Sequence, residues 1–451
     1  LTPELAESWS WSDGGKQLTF KLRRGVAWHD GRPFTAADVK FTFDLVREAL
    51  PDKKLRLSPR KLWFDQVASV TTSGDYEVAF RLRRPQPSLL SMLASGYAPI
   101  YPAHIEPALQ RTQPVGTGPF QFKSYLPDER LDLVRNPNYF VKGRPYLGGI
   151  SHLLVRDRQA RYSALIAGQV DMLSPGDGSP TLRDQVQSQR PQLVVRVLAQ
   201  GAFYNIILNT RKPPFDNAAL RSAVNYALDR NGFLKTQRGG AVASGALVPP
   251  PYSPWGLPRE TLAKLPGYGD PASDKAVARK LLADAGYPPA APLKVVVSTR
   301  SLAMFQDMAS WVVGELKSVG IEAILEVVET GIWYPRLARR DFQMAANVSG
   351  AAPDDPDGTF FEHYACGSLR NYSGYCNQDR EAEMVRASEE QNPARRLEMM
   401  RELDRTFQLD GSRAILGHSL DYQVFWPHVR GFVPHNNVYN YGRLQDVWLE
   451  R

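Results

Sequence analysis

Apolar residues along this chain recur with two periods, and the stretch from Leu293 to Asn347 shows both most clearly. Leu293 to Ser298 is a continuous run of buried-strand type. From Phe305 to Val319 the residues Met308, Val312, Leu316 and Val319 then fall on one helical face, which ends at Gly320. Ile321 to Val328 is the next strand, and a strand, a helix and a strand joined this tightly predict a βαβ unit. A short helix is expected over Trp333 to Arg340 and a further strand over Phe342 to Ala346. Upstream, Asp216 is expected to cap a helix whose inner face carries Leu220, Ala223, Val224, Ala227 and Leu228. Ser273 or Asp274 is expected to open another, which stops at Gly286 before Pro288.

Near the start the period changes within a few residues. Leu18 to Leu22 alternates like a half-buried strand, Asp30-Gly31 is a tight turn, and Pro33 stiffens its exit. Thr35 with Asp38 three residues on forms a capping box, followed by Val39, Phe43 and Val46 at helical spacing. The prediction there is strand, turn, capped helix.

Length and composition narrow the classes. At 451 residues the chain exceeds what one hydrophobic core supports, so two or three domains are expected. Its 43% hydrophobic and 23% charged residues are ordinary globular composition, and no apolar run is long enough to cross a bilayer. The net charge of +8 is spread along the chain among 47 acidic residues, which argues against nucleic acid as a partner. Cys366 and Cys376, the only cysteines, lie among turn-forming residues. With no histidine spaced to complete a zinc site they read as a disulfide in an oxidising compartment, the other reading being two free thiols.

No catalytic signature stands out: there is no Gly-x-Ser-x-Gly, His-Glu-x-x-His or phosphate-cradling glycine loop, and the seven histidines are scattered. No cofactor or metal is expected, and an enzyme is the less favoured reading.

Several segments together resemble one family. Pro3 to Trp9, Leu18 to Val26, the turn His29-Asp30-Gly31 with its helix through Phe41, Gly116-Thr-Gly-Pro-Phe120 and Arg135-Asn-Pro-Asn-Tyr139 appear in order. They are followed by Ala164 to Asp171 and Pro214 to Arg230. This series resembles the family 5 extracellular solute-binding proteins, the peptide, dipeptide and nickel type receptors of bacterial ABC importers.

The resemblance implies an α/β, two-lobed periplasmic binding protein fold of type II, cluster C-like, with an extra inserted domain. Carried onto this chain, residues 1–112 would be the inserted α/β domain, 113–208 with 428–451 lobe I, and 209–427 lobe II. It also implies that the family's opening strand and a secretory signal precede Leu1, and that the two cysteines are bridged.

Site residues follow from strand polarity and from the resemblance. Ligands of open α/β sheets bind beyond the carboxyl ends of the strands, so the segment from Asn347 to Asp357 is expected to face the ligand. Peptide-binding relatives carry a Trp after this strand and an Asp that pairs with the peptide ammonium. Aligned through Asp355-Pro356, these positions fall on Ser349 and Ala352. Loss of that carboxylate would cost about 1.5 to 3 kcal/mol for a free-amine peptide, unless Asp354 substitutes. The small residues Ala345, Ala346, Ser349, Gly350 and Ala351 either leave room for a bulkier ligand or reflect close strand packing. Further candidates are Tyr204, Asn205 and Trp333, for the aromatic pair as core or as ligand wall, with Arg339 and Arg340 as partners for an anionic group.

The resulting expectation is a monomeric, extracytoplasmic protein of the bacterial periplasm, with or without a membrane anchor. It captures a small-molecule or peptide-like ligand by hinge closure and delivers it to an ABC permease in the inner membrane. The alternatives are a ligand-sensing receptor and a periplasmic enzyme on the same scaffold.

Overall fold

The computed structural model describes residues 1–53, 61–350, 355–435 and 443–450. Its contacts divide the chain into two compact units, residues 1–198 with 421–451, and residues 199–420.

Among the described residues, the first unit contains a four-stranded antiparallel sheet in the order β1-β2-β4-β3, made of Ala6–Ser12 (β1), Gln17–Leu22 (β2), Val67–Thr72 (β3) and Glu77–Leu82 (β4). Helix α1 (Ala36–Val46) lies against it, with the Phe43 ring 4.9 Å from Phe80 and 5.4 Å from Phe64. Helix α2 (Leu89–Leu93) follows. A separate antiparallel sheet consists of β5 (Phe120–Leu126), β6 (Arg130–Arg135) and β7 (Gly149–Leu153). Helices α3 (Arg158–Ile166) and α4 (Pro180–Gln189) build a small core around Tyr162, Leu165, Leu182 and Val186.

The opening strand, turn and helix form as their residues dictate. Thr35 and Asp38 close a capping box, the Thr35 N–H donating to Asp38 Oδ2 at 2.9 Å, and Gly31 supplies φ of 88° in the turn. His29 has a further role. Its backbone N–H donates to Gly116 O at 2.8 Å, its Nδ1 accepts from Gly116 N–H at 3.2 Å, and its Nε2 lies 3.0 Å from Gly118 O. The imidazole is therefore a neutral clip between the turn and the Gly116–Phe120 segment, and burial holds its pKa below the ordinary value.

A six-stranded sheet runs β11-β10-β12-β8-β13-β9: Glu322–Val328 (β11), Lys294–Arg300 (β10), Met344–Gly350 (β12), Val194–Leu208 (β8), Arg413–Phe425 (β13) and Ala241–Val242 (β9); it belongs to the second unit except for the first five residues of β8 and the last five of β13. Strand β10 is parallel to β11 and β12, while β12 is antiparallel to β8. The βαβ unit forms through α9 (Ala303–Ser318), and α10 (Thr330–Ala338) follows β11.

Side chains alternate across this sheet. Tyr204, Ile206, Leu208, Val295, Val297, Met344, Ala346, Ala414 and Leu416 face an apolar core with α5 (Ala218–Ala227), α8 (Pro271–Asp284) and α9. The other helices are α6 (Arg230–Thr236), α7 (Arg259–Leu262), α11 (Pro356–Tyr364), α12 (Gln378–Glu389) and α13 (Pro393–Asp410); a two-stranded ribbon of β14 (Val429–Arg430) and β15 (Trp448–Leu449) belongs to the first unit.

Two helix starts differ from expectation because a neighbouring residue caps better. Asn217, not Asp216, accepts from Ala219 N–H to open α5, and Asp270 accepts from Ser273 N–H to open α8, with Pro271 at its first position. Strand β12 also extends four residues past Ala346, because Asn347 to Gly350 continue the ladder opposite Asn205 to Ala202.

Candidate functional site

That extension changes the setting of the expected ligand-facing residues. Asn347 pairs with Asn205 and Ser349 with Phe203 across β12 and β8, which places Asn205, Asn347 and Ser349 on one face of the sheet. The Asn205 amide unites them: its Nδ2 donates to Asn347 O at 2.8 Å and to Ser349 Oγ at 3.1 Å, while Oδ1 accepts from Arg413 Nη1 at 3.0 Å. All four residues are buried. They form a fixed polar layer that ends at Gly350, where a Cβ would meet nothing within 4 Å.

Other candidates fall elsewhere. Trp333, 1% exposed, packs with Ile207, Val328, Leu337, Phe342, Ala345 and Tyr372, so its size fills the core rather than a ligand wall. Tyr204 is also core, its ring 5.3 Å from Phe233, with only its hydroxyl reaching towards Met304 Sδ at 4.0 Å. Of the small residues, Ala345 and Ala346 are fully buried on the two faces of β12, which is close strand packing.

Asp355 is not available to a ligand: both its carboxylate oxygens accept from the Arg396 guanidinium, at 2.8 and 2.7 Å, and Arg396 also lies 3.1 Å from Asp357. With Trp255 beneath the guanidinium at 5.1 Å, this buried triad fastens the start of α11. Arg339 is exposed at the C-cap of α10, and Arg340 donates to Asn371 O at 3.3 Å. Ala352 and Asp354 lie outside the described residues.

A residue that local pattern did not single out gathers the remaining features. Arg300 ends β10, at the carboxyl side of the parallel strands where ligands of such sheets bind. Its guanidinium lies 4.8 Å from the Phe305 ring and 5.4 Å from the Tyr334 ring. Its only hydrogen bonds among the described residues are long ones, 3.5 Å to Tyr334 OH and 3.5 Å to Thr330 Oγ1, and it forms no ion pair there. Around it Leu302, Met304, Ile332 and Tyr334 are 45, 43, 58 and 40% exposed. An uncommitted cation between aromatic faces, rimmed by open apolar side chains, is suited to an anionic group attached to an apolar body. No single segment announces it, since its parts come from β10, α9 and α10.

Cys366 and Cys376 are joined by a disulfide, with Cα atoms 4.7 Å apart. Among the described residues no group of three His, Cys, Asp or Glu side chains is placed to hold a metal ion, and no helix is long and apolar enough to cross a membrane.

A two-unit α/β chain whose parallel strands end in such a rim has the makings of a solute-binding protein, and the comparisons agree. Residues 1–371 match the model of the bacterial extracellular solute-binding proteins, family 5 (Middle), and the chain belongs to this family. The probable di/tripeptide-binding protein 5 of Pseudomonas aeruginosa is 28% identical over 412 residues, covering 84% of this chain and 74% of that protein. The dipeptide-binding protein of Escherichia coli is 25% identical over 471 residues, covering 96% and 84%. Among solved structures, the ABC transporter-associated periplasmic binding protein DppA of Helicobacter pylori, in complex with the peptide STSA, superimposes with a TM-score of 0.82 at 23% identity, covering 100% of this chain and 89% of that one. The fold is thus the two-lobed, type II binding-protein fold, and the family consists of binding proteins rather than enzymes.

Proposed function

We propose that this chain is a periplasmic receptor that takes up a peptide-like solute, without chemical change to it, and presents it to an ABC permease. The observation that carries the ligand class is Arg300, whose guanidinium, between Phe305 and Tyr334 and in no ion pair among the described residues, suits a terminal carboxylate, with Leu302, Met304 and Ile332 beside it for an apolar side chain. The names of the relatives, which bind di- and tripeptides, support the same class.

In this reading the polar layer of Asn205, Asn347 and Ser349 holds β12 rigid up to the ligand, and the protein acts as a monomer. Residues 1–112 are the inserted domain, 113–208 with 428–451 lobe I and 209–427 lobe II; the separate four-stranded and three-stranded sheets of the first unit support the first of these boundaries. Ligand contacts from both lobes would stabilise the closed state that the permease recognises.

Calorimetry with a panel of di- and tripeptides and their C-terminally amidated forms tests the reading. Amidation is expected to weaken binding about tenfold or more in the native protein and to matter little in Arg300→Gln. A protein that binds no free peptide, or binds acid and amide equally, refutes it.

A further inference from the structure

Two arginines converge on one turn of the disulfide loop. Between Cys366 and Cys376 the chain turns at Asn371 to Gly374, where the Gly374 N–H donates to Asn371 O at 3.1 Å. Arg340 Nη2 donates to that same carbonyl at 3.3 Å, and Arg211 Nε donates to Gly374 O at 2.6 Å. The missing side chain of Gly374 lets them meet: a Cβ there would lie 2.7 Å from Arg211 Cγ and 2.9 Å from Arg340 Nε. Those two atoms are therefore at most 5.6 Å apart, the sum of the two distances. A guanidinium presents five N–H donors, and each of these makes one hydrogen bond to the turn. Neither forms an ion pair among the described residues. Two like charges fixed this close repel, and a shared anion removes that cost.

The surroundings hold the pair in place and supply no carboxylate. Thr210 donates to Ser373 O from its N–H at 2.9 Å and its hydroxyl at 3.0 Å, and Asn371 Nδ2 donates to Ala365 O at 3.0 Å and Tyr375 O at 2.7 Å. Lys212 and Arg339, next to the pair in sequence, are exposed and add to the positive charge. The acids nearby have other partners: Asp341 lies 3.8 Å from Arg336 Nε, and Asp410 accepts from the Tyr375 hydroxyl and lies 3.9 Å from Arg380 Nε. Arg340 also breaks a local rule. It is the left-handed residue that ends α10, with φ of 56°, where glycine is the ordinary choice. Asn209 Nδ2 holds that bend by donating to Arg340 O at 2.9 Å and Phe342 O at 2.8 Å. Backbone strain of this kind gathers where a side chain is needed.

We propose that Arg211 and Arg340 clamp a phosphate-type dianion. A tetrahedral oxyanion of this class offers each guanidinium a pair of oxygens and matches two positive charges with two negative ones. The site is separate from that of the carried solute. Arg211 follows β8 and Arg340 precedes β12 at the end where Leu208 pairs with Met344, whereas Arg300 lies on the carboxyl side of the parallel strands. Two sources carry this chemistry: inorganic phosphate in solution and the phosphate monoester headgroup of a phosphatidate surface.

Calorimetry of the full chain at low ionic strength, with inorganic phosphate against chloride of equal ionic strength, tests the first source. Flotation with phosphatidylcholine vesicles carrying or lacking phosphatidate tests the second. For phosphate a dissociation constant of about 1 mM or tighter is expected, weakened about tenfold or more in Arg340→Gly and in Arg211→Gln. Arg340→Gly is expected to fold and to melt no lower than the native protein, because glycine suits the left-handed position. Its affinity for peptides should be that of the native protein. Phosphate binding, or flotation with phosphatidate vesicles alone, supports the proposal and names the source, provided both variants lose it. No response to either probe, or a response that either variant keeps, overturns it. Should Arg211→Gln not fold, Arg340→Gly decides the matter alone. Failure of the peptide panel would leave this result untouched, and the reverse also holds.

Discussion

Two buried titratable groups flank the segment Ser244 to Leu247 and respond to acid in opposite directions. His418 on β13 is fully buried, with its Nδ1 2.7 Å from Ser244 Oγ, and burial pulls its pKa from 6.5 down to about 3. Asp404 on α13, also fully buried, accepts from Ala246 N–H at 2.8 Å and from Gln408 Nε2 at 3.1 Å, yet burial raises its pKa from 3.8 to about 6. At about 1.36 kcal/mol per pH unit, the gap at His418 is worth about 5 kcal/mol and that at Asp404 about 3 kcal/mol.

The signs follow from which state takes the proton. Below pH 6.5 the unfolded chain protonates the imidazole and the native chain does not, so His418 costs stability progressively down to about pH 3. Asp404 takes its proton first in the native state, so its contribution is complete below pH 3.8 and is lost as pH rises through about 6. Between about pH 6 and 3.8 the two slopes nearly cancel.

Removing either group should expose the other. Between about pH 7.5 and 4.5, His418→Phe should lose about 3 kcal/mol less stability than the native protein, whereas Asp404→Asn should lose about 2 kcal/mol more. Urea unfolding at both pH values measures this, because contributions common to native and variant cancel in the comparison. Parallel pH profiles for native protein and His418→Phe would refute the argument, since they would mean that the imidazole does not stay neutral in the folded state.

Arg396→Ala strands two buried carboxylates, Asp355 and Asp357, and is expected to cost about 3 to 5 kcal/mol in urea unfolding. Replacing Cys366 and Cys376 by serine releases a loop spanning ten residues and should cost about 2 to 3 kcal/mol by loop entropy, measured as the loss in native protein on reduction as well. Asn205→Ala removes the donor shared by Asn347 and Ser349; faster amide exchange along β12 is expected, and unchanged exchange would show that the ladder alone holds the strand.

Much of the scaffold was legible because its signals are local. The Thr35–Asp38 capping box, the Leu293 to Val328 βαβ unit and the bridged cysteines each depend on residues close together in the chain. The site was less so, for reasons visible in individual residues. Trp333 and Tyr204 have the composition of a ligand wall, but which way each faces depends on tertiary packing: strand pairing sets Tyr204 towards the core of the sheet, and Trp333 on α10 packs against Ile207 and Phe342. Asp355 reads as a ligand carboxylate until Arg396, 41 residues on, occupies both its oxygens. Arg300 and Arg413 are two among 55 basic residues, and only the surroundings supplied by other elements distinguish them.

The His29 clip bears on how the chain reaches its native state. Strands β1 and β2 are joined by the four residues Asp13 to Lys16, so that hairpin needs little loop closure to form. The imidazole instead meets Gly116 and Gly118, 87 and 89 residues away in sequence. Contacts of such separation carry a larger closure entropy and are rewarded only once the intervening sheet exists. The His29-Asp30-Gly31 turn is thus expected to form as a local bend ahead of the docking of the segment that leads into β5, which brings its histidine to Gly116 and Gly118.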